Sequence, residues 1–155
     1  SQTGGYGIMN HTFSKYLPVI KNWEPGRRNG ALVSINSGKT TTYSLENIES
    51  RGQLFLGAAI DIYEGQIVGQ SNRENDISVN VTKGKKMTNT RASGKDHSAA
   101  IAVPRKMTLE ESIEFLNEDE YCEVTPESIR LRKKILNTGD RERITKRKKI
   151  ASKKG

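Results

Sequence analysis

The sequence predicts a strand-rich α+β domain, and three observations lead there. Short β-prone runs recur between Gly, Pro and Asn turn signals, among them Ala31–Ile35, Gln66–Gln70 and Asp76–Val81. One run carries a full helix-start signature, Thr108-Leu109-Glu110-Glu111. Apolar residues make up 33% of the 155. That suffices for one modest core and leaves part of the chain to solvent or to a partner.

In chain order, residues 7–16 read as a strand, with Ile8, Asn10 and Thr12 on one face. Residues 17–29 hold Pro18, Trp23, Pro25, Gly26 and the pair Arg27-Arg28, and read as a linker. Ala31–Ile35 and Thr40–Tyr43 flank the polar turn Asn36–Lys39 and predict a hairpin. Ser44 is placed to cap a short helix over 45–50, stopped by Gly52. Leu54–Leu56 and Ile60–Tyr63 read as short strands, and Glu64-Gly65 turns the chain into Gln66–Gln70. In Asp76–Val81 the alternation sets Ile77, Val79 and Val81 on one face. Ala99–Val103 reads as a buried strand ending at Pro104.

Past Thr108, Leu109, Ile113 and Leu116, with Phe115, predict the buried face of a helix. Tyr121–Val124 and Ser128–Leu131, separated by Thr125-Pro126-Glu127, predict a second hairpin; Thr125-Pro126 is equally suited to open a helix. From Asp140 onward the chain is helix-prone without an apolar stripe.

Charge is distributed unevenly. The formal net charge is +8, which favours a polyanionic partner. Residues 130–155 hold twelve Lys or Arg against Asp140 and Glu142, whereas 108–128 hold eight acids and no cation. A second basic element, before the acidic one, is the segment 81–95, VTKGKKMTNTRASGK, with five cations and no acid. Lys83, Lys85, Lys86, Arg91 and Lys95 are suited to phosphates. Thr88, Asn89, Thr90 and Ser93 can hydrogen-bond phosphate and sugar oxygens, and Gly84 and Gly94 permit close backbone approach. The segment has no aromatic residue, so it does not stack bases. A loop of this length without structure of its own is uncommon in a compact domain unless it functions. It is expected to become ordered only on RNA. Arg130, Arg132, Lys133 and Lys134 form a second group of candidate RNA contacts.

Other chemistry finds little support. Ser37-Gly38-Lys39-Thr40 resembles the end of a phosphate-binding P-loop. Val33 stands where its first Gly belongs, however, and the β-prone Thr40–Tyr43 follows where a helix should. His11, His97 and the single Cys122 lack metal spacing and exclude an intramolecular disulfide. Neighbouring Glu residues should raise the Cys122 thiol pKa, and a half-buried strand cysteine accounts for it. The sequons at Asn10 and Asn80 are taken as chance matches. No apolar run is long enough to span a bilayer, and Ile144, Ile150 and Ala151 are too few to anchor the tail on one. No catalytic constellation emerges, and no cofactor is expected in this chain.

Several stretches together carry a resemblance: RRNGALVS, SRGQLFLGA, YEGQIVG, NDISVN, GKKMTNTRASG and MTLEESIEFLNEDEYCEVTPESIRLRK. They are similar to the C-terminal end of the BipA/TypA family, ribosome-binding translational GTPases related to elongation factor G. The resemblance implies that residues 1–28 are the last strand of an elongation-factor-G-like fifth domain plus a linker. Residues 29–155 would then be the BipA-type C-terminal domain with its long basic loop and basic tail. The chain is accordingly expected to be a piece of a longer protein, with its residues 1–16 separated from their sheet partners. GTP and Mg would belong to a GTPase domain this chain lacks.

By the same resemblance, the loop at 78–96 reaches toward the peptidyl-transferase centre and the acceptor arm of an A-site tRNA. Lys83, Lys85, Lys86, Asn89 and Arg91 become RNA contacts. Large-subunit rRNA, that tRNA and the other domains of the parent GTPase are the implied partners of a monomeric, cytoplasmic, ribosome-associated protein. The family's roles are large-subunit assembly and adaptation to cold and other stresses. The role of the tail past Arg143 is not carried over. A general basic RNA-binding module without a ribosomal address is the alternative.

Overall fold

The computed structural model describes residues 7, 8, 10–16, 27–84 and 103–151. Its elements are β1 (Ala31–Ser34), β2 (Gly38–Lys39), α1 (Thr42–Glu49), β3 (Gly52–Leu54), β4 (Asp61–Ile62), β5 (Gln66–Ser71), β6 (Ile77–Val79), α2 (Leu109–Phe115), β7 (Glu120–Val124), β8 (Ile129–Lys133) and α3 (Thr138–Ala151). The α+β class is as expected. One sheet runs β6-β1-β5-β8-β7, with β3 also on β5, and β2 and β4 form a separate pair. The β1–β6 pair is parallel, and the other pairs in the main sheet are antiparallel. β5 is the hub: one edge takes β1, and the other is divided between β8 at Gln66 and Ile67 and β3 at Gly69–Ser71.

The sheet centre is buried on both faces, which explains the unbroken apolar start of β1. Leu32 and Val68 join Leu45, Ile48, Leu54, Ile62, Val79 and Val81 in one core cluster under α1. Ala31, Val33 and Ile67 point the other way and pack with Leu131 and Phe115 of α2. Phe55 meets Phe115 edge-on, with ring centroids 5.2 Å apart. Gly52 shows why β3 can reach β5: a Cβ there would stand 1.9 Å from the Gln70 carbonyl oxygen.

Several sequence expectations hold. Val79 and Val81 sit in the first cluster with Ile77 against it. The capping box is complete: Glu111 N donates to Thr108 Oγ1 (3.2 Å) and Thr108 N to Glu111 Oε2 (2.9 Å). That second contact holds the Glu111 carboxyl below its ordinary pKa, helped by Arg105. The second hairpin forms, closed by Thr125 N donating to Ser128 O at 2.9 Å, so Thr125 opens no helix.

Others are corrected. No hairpin joins β1 to 40–43; β2 pairs with β4 instead, and α1 begins at Thr42. The cap is Thr41, not Ser44, because the Thr41 hydroxyl accepts from Ser44 N at 3.2 Å. Local cap chemistry outweighs the β preference of the Thr run. A helix therefore does follow Lys39, contrary to one reason for setting aside a P-loop. Lys39 nonetheless lies in a strand, with its backbone paired to Asp61 and its ammonium 3.8 Å from that carboxylate. On α2 the buried side chains are Ser112 and Phe115, while Leu109 and Ile113 are exposed. β3 ends at Leu54 and β4 holds only Asp61–Ile62. Residues 7, 8 and 10–16 form no strand and are exposed. Of the strand expected over 99–103, only Val103 falls within the described residues; it is exposed and not in a strand.

Candidate nucleic-acid interface

The basic segment leaves the fold at a defined root. Val81 is fully buried, and its carbonyl accepts from Thr41 N (3.0 Å) and from Ser44 Oγ (2.5 Å). Two residues on, Thr41 Oγ1 donates to the Lys83 carbonyl at 2.7 Å. A threonine hydroxyl has one proton and two lone pairs. With the proton on Lys83 O, Thr41 Oγ1 still accepts from Ser44 N. One side chain thus caps α1 and holds the root of the loop. Asn80 Oδ1 fixes the same turn, accepting from Thr82 N and Thr82 Oγ1, each at 3.1 Å.

The chain returns near the same corner. Thr40 Oγ1 donates to Gly57 O at 2.8 Å. Pro104 Cγ lies 3.7 Å from where a Cβ on Gly57 would stand, and Arg105 N donates to Leu54 O at 2.9 Å. Of the predicted loop contacts, Lys83 is exposed at this root. Lys85, Lys86, Thr88, Asn89, Arg91 and Lys95 lie outside the described residues. Nothing in the local sequence marks Thr41 and Ser44 as root residues, since their partners are some forty positions away. Thr41→Val is expected to lower stability by about 1–2 kcal/mol, the range of a lost N-cap, and Thr41→Ser to restore it. Urea titration of the three proteins checks this.

The second candidate group divides by strand alternation. Arg130 is exposed, Arg132 is half-buried and Lys134 is exposed. Lys133 faces the other way and is removed from the set. Its Nζ contacts Asp76 (2.5 Å), Glu120 (2.8 Å) and Asp119 (2.9 Å), and the side chain is buried. Burial pushes its pKa down, but the hydrogen bonds it donates to Asp76, Glu120 and Asp119, with the charge of Glu120, outweigh this and raise it. An ammonium so engaged is not available to RNA.

Arg27 completes this network, although its doublet reads as linker. Its Nη1 and Nη2 donate to the Glu120 carboxylate at 2.5 and 2.6 Å, Nη1 also to Phe115 O at 2.8 Å, and Nε to Asn29 O at 2.7 Å. Its guanidinium carbon lies 4.0 Å from the Phe115 ring centroid. Among the described residues, no buried side-chain nitrogen or oxygen lacks a partner.

Within the tail, Thr138–Ala151 form α3, whose Thr138 N donates to Glu64 Oε1 at 2.7 Å. That bond, above all, holds the Glu64 carboxyl below its ordinary pKa. Arg143, Lys146 and Arg147 are exposed along α3. Cys122 is half-buried in β7; burial first, then Glu123, raises its thiol pKa. Among the described residues no group of His, Cys, Asp and Glu is placed to hold a metal, and no helix is long and apolar enough to cross a membrane.

A mixed main sheet with a separate two-stranded pair, a helix packed on each face and a basic segment leaving from one corner define a small α+β domain. The model of the TypA/BipA C-terminal domain matches residues 29–138, and the chain belongs to that family. It is 55% identical over 151 residues to the large ribosomal subunit assembly factor BipA of Bacillus subtilis, covering 97% of this chain. It is 48% identical to the protein of that name from Haemophilus influenzae and 44% to that of Escherichia coli K12, each over 94% of the chain. The chain spans about a quarter of the length of these relatives.

Proposed function

We propose that the chain is the RNA-contacting C-terminal domain of a large-subunit assembly GTPase, and that its sheet holds the 83–95 segment against ribosomal RNA and the acceptor arm of an A-site tRNA, near the peptidyl-transferase centre. The observation that carries this reading is the root: an acid-free, five-cation segment begins where Thr41 and Ser44 bind the Val81 and Lys83 carbonyls. The names of the relatives, large ribosomal subunit assembly factors, supply the ribosome as partner. In this reading Lys83, Lys85, Lys86, Arg91 and Lys95 neutralise phosphates, while Thr88 and Asn89 bond the backbone. GTP and Mg act in another domain, residues 1–28 are the end and linker of an elongation-factor-G-like domain, and the protein works as a cytoplasmic monomer in assembly and cold or stress adaptation.

Lys83→Ala, Lys85→Ala, Lys86→Ala and Arg91→Ala together, in the full-length protein, are expected to reduce co-sedimentation with ribosomes. The slope of log affinity against log salt should become shallower by about 3, close to 0.7 per lost phosphate contact on single-stranded RNA. Unchanged association across the salt series would sink the proposal. Equal competition by any unrelated RNA would reduce it to a general basic RNA-binding module.

A further inference from the structure

We propose that the outer face of the β7–β8 hairpin is a second RNA contact, in which Tyr121 stacks one unpaired nucleobase and Arg132, Lys134 and Arg130 hold the flanking phosphates. The proposal takes from the preceding reading only that the chain meets RNA, and it concerns a face separate from the loop.

Register places the groups. Tyr121 pairs with Arg132, and Glu123 with Arg130. All four therefore stand on the face opposite Leu131 and the buried Lys133. Tyr121 as a residue is 48% exposed, which sets a planar aromatic side chain at the surface of a strand. Arg132 Cζ lies 5.1 Å and Lys134 Nζ 5.0 Å from its centroid. The cations already gather at the ring, as the ring's negative face favours.

Arg132 is held in place. Its Nε donates to Glu123 Oε1 at 2.5 Å and its Nη1 to Lys133 O at 3.2 Å. Glu123 is fixed in turn by the Tyr63 hydroxyl, which donates to Oε2 at 2.6 Å. Among the described residues, Arg132 Nη2 has no hydrogen-bond acceptor, so the guanidinium presents an oriented plane and a spare donor. Glu123 is the one acid among the paired residues of this face, and Arg132 and Tyr63 occupy it. Among the described residues Arg130 and Lys134 have no ion-pair partner within 4 Å, which favours a polyanion over a neutral or acid–base-balanced protein surface. Splayed RNA bases are typically received on an aromatic ring or on an arginine plane, and here the two adjoin on a sheet. Lys134, on a flexible stem, can leave the ring for a phosphate when a base arrives.

The test uses fluorescence anisotropy of the 155-residue chain with labelled oligouridylate and, separately, with a labelled RNA duplex. Tyr121→Ala is expected to weaken oligouridylate binding by about 5- to 150-fold, the range for one lost base stack. Duplex binding should be unchanged and Tyr121→Phe should bind like the parent. The same loss should appear when Tyr121→Ala is made in the chain that also carries the Lys83, Lys85, Lys86 and Arg91 to Ala changes. Circular dichroism and thermal melting confirm that the variants are folded. Parent-like binding of oligouridylate by folded Tyr121→Ala overturns the proposal, as does equal loss with Phe and Ala. Displacement of the Tyr121-dependent signal by polyglutamate would identify an acidic protein surface instead and would also overturn it. If the loop variant loses binding and Tyr121→Ala does not, only this second contact fails; if the parent chain binds no RNA, the broader reading fails with it.

Discussion

Arg27→Ala is expected to lower the stability of the domain by about 3–5 kcal/mol, the cost of removing one partner from a buried ion pair. Glu120 has a fully buried side chain, and the two arms of Arg27 reach it at 2.5 and 2.6 Å. Lys133 keeps one carboxylate oxygen engaged after the change. The other retains only Asn117 N, at 3.1 Å. The Phe115 carbonyl and ring lose their cation as well. For a domain of this size the loss corresponds to a fall in Tm of roughly 10–20 °C. Arg27→Lys keeps the charge without the planar fork and should recover only part of it. Thermal unfolding of the parent and both variants measures this directly. A fall below about 3 °C in Arg27→Ala would mean that the network contributes little.

Lys133→Met should be comparably damaging at neutral pH, since it leaves Asp76, Asp119 and Glu120 facing one another without their shared ammonium. It should also change the alkaline limb of the stability profile. The folded Lys133 pKa lies above its ordinary value of 10.5. Its contribution is therefore complete below that value and is lost as pH rises through the higher folded one. Tyr63 titrates in the same direction: burial first, then Glu123, raises its hydroxyl above the ordinary 10.0. Tyr63→Phe is thus the necessary comparison. Urea unfolding from pH 7 to 11 should show stability falling above about pH 10 in the parent. The fall should be shallower in Lys133→Met than in Tyr63→Phe if the lysine dominates. Arg27 and Lys133 share Glu120, so their combined effect should depart from the sum of the two, by about 0.5–3 kcal/mol.

Features governed by neighbours in the chain were legible in the sequence. The Thr108–Glu111 box, the period-two pattern of β6 and the Thr125–Ser128 turn each need only a few adjacent residues, and each stands where the sequence placed it. Partners far apart were not legible. β1 pairs with β5 and β6, not with the next β-prone run. The choice depends on which apolar faces meet across the sheet, and a local period does not encode that. The short α2 shows a related limit: of its predicted face Phe115 is buried and Leu116 packs beside it, whereas Leu109 and Ile113 are exposed.

The candidate site divides in the same way. Composition picks out its cations, because an acid-free run is visible in a string. It also makes Arg132, Lys133 and Lys134 look alike. The partners Asp76 and Glu120 mark the buried Lys133 ammonium off from Arg132 and Lys134 on the opposite face. Arg27 was missed for the same reason, since Glu120 is far along the chain. Thr41 was hidden by its own β-branched run. Its role at the root shows only when the Lys83 carbonyl is seen beside it.

The divided edge of β5 has a consequence for how the domain comes into being. Ile67 pairs with Leu131, 131 − 67 = 64 residues further along the chain. At the usual 5–20 residues per second of synthesis, the strand waits on the order of 3–13 s for that partner. During this interval the Gln66–Ile67 stretch of a strand that is buried in the finished fold has an unmatched edge, open to pairing with other chains. The β7–β8 hairpin is local and can close alone within microseconds. The slow event is then its docking onto β5, and whatever delays that docking lengthens the period of greatest exposure to aggregation.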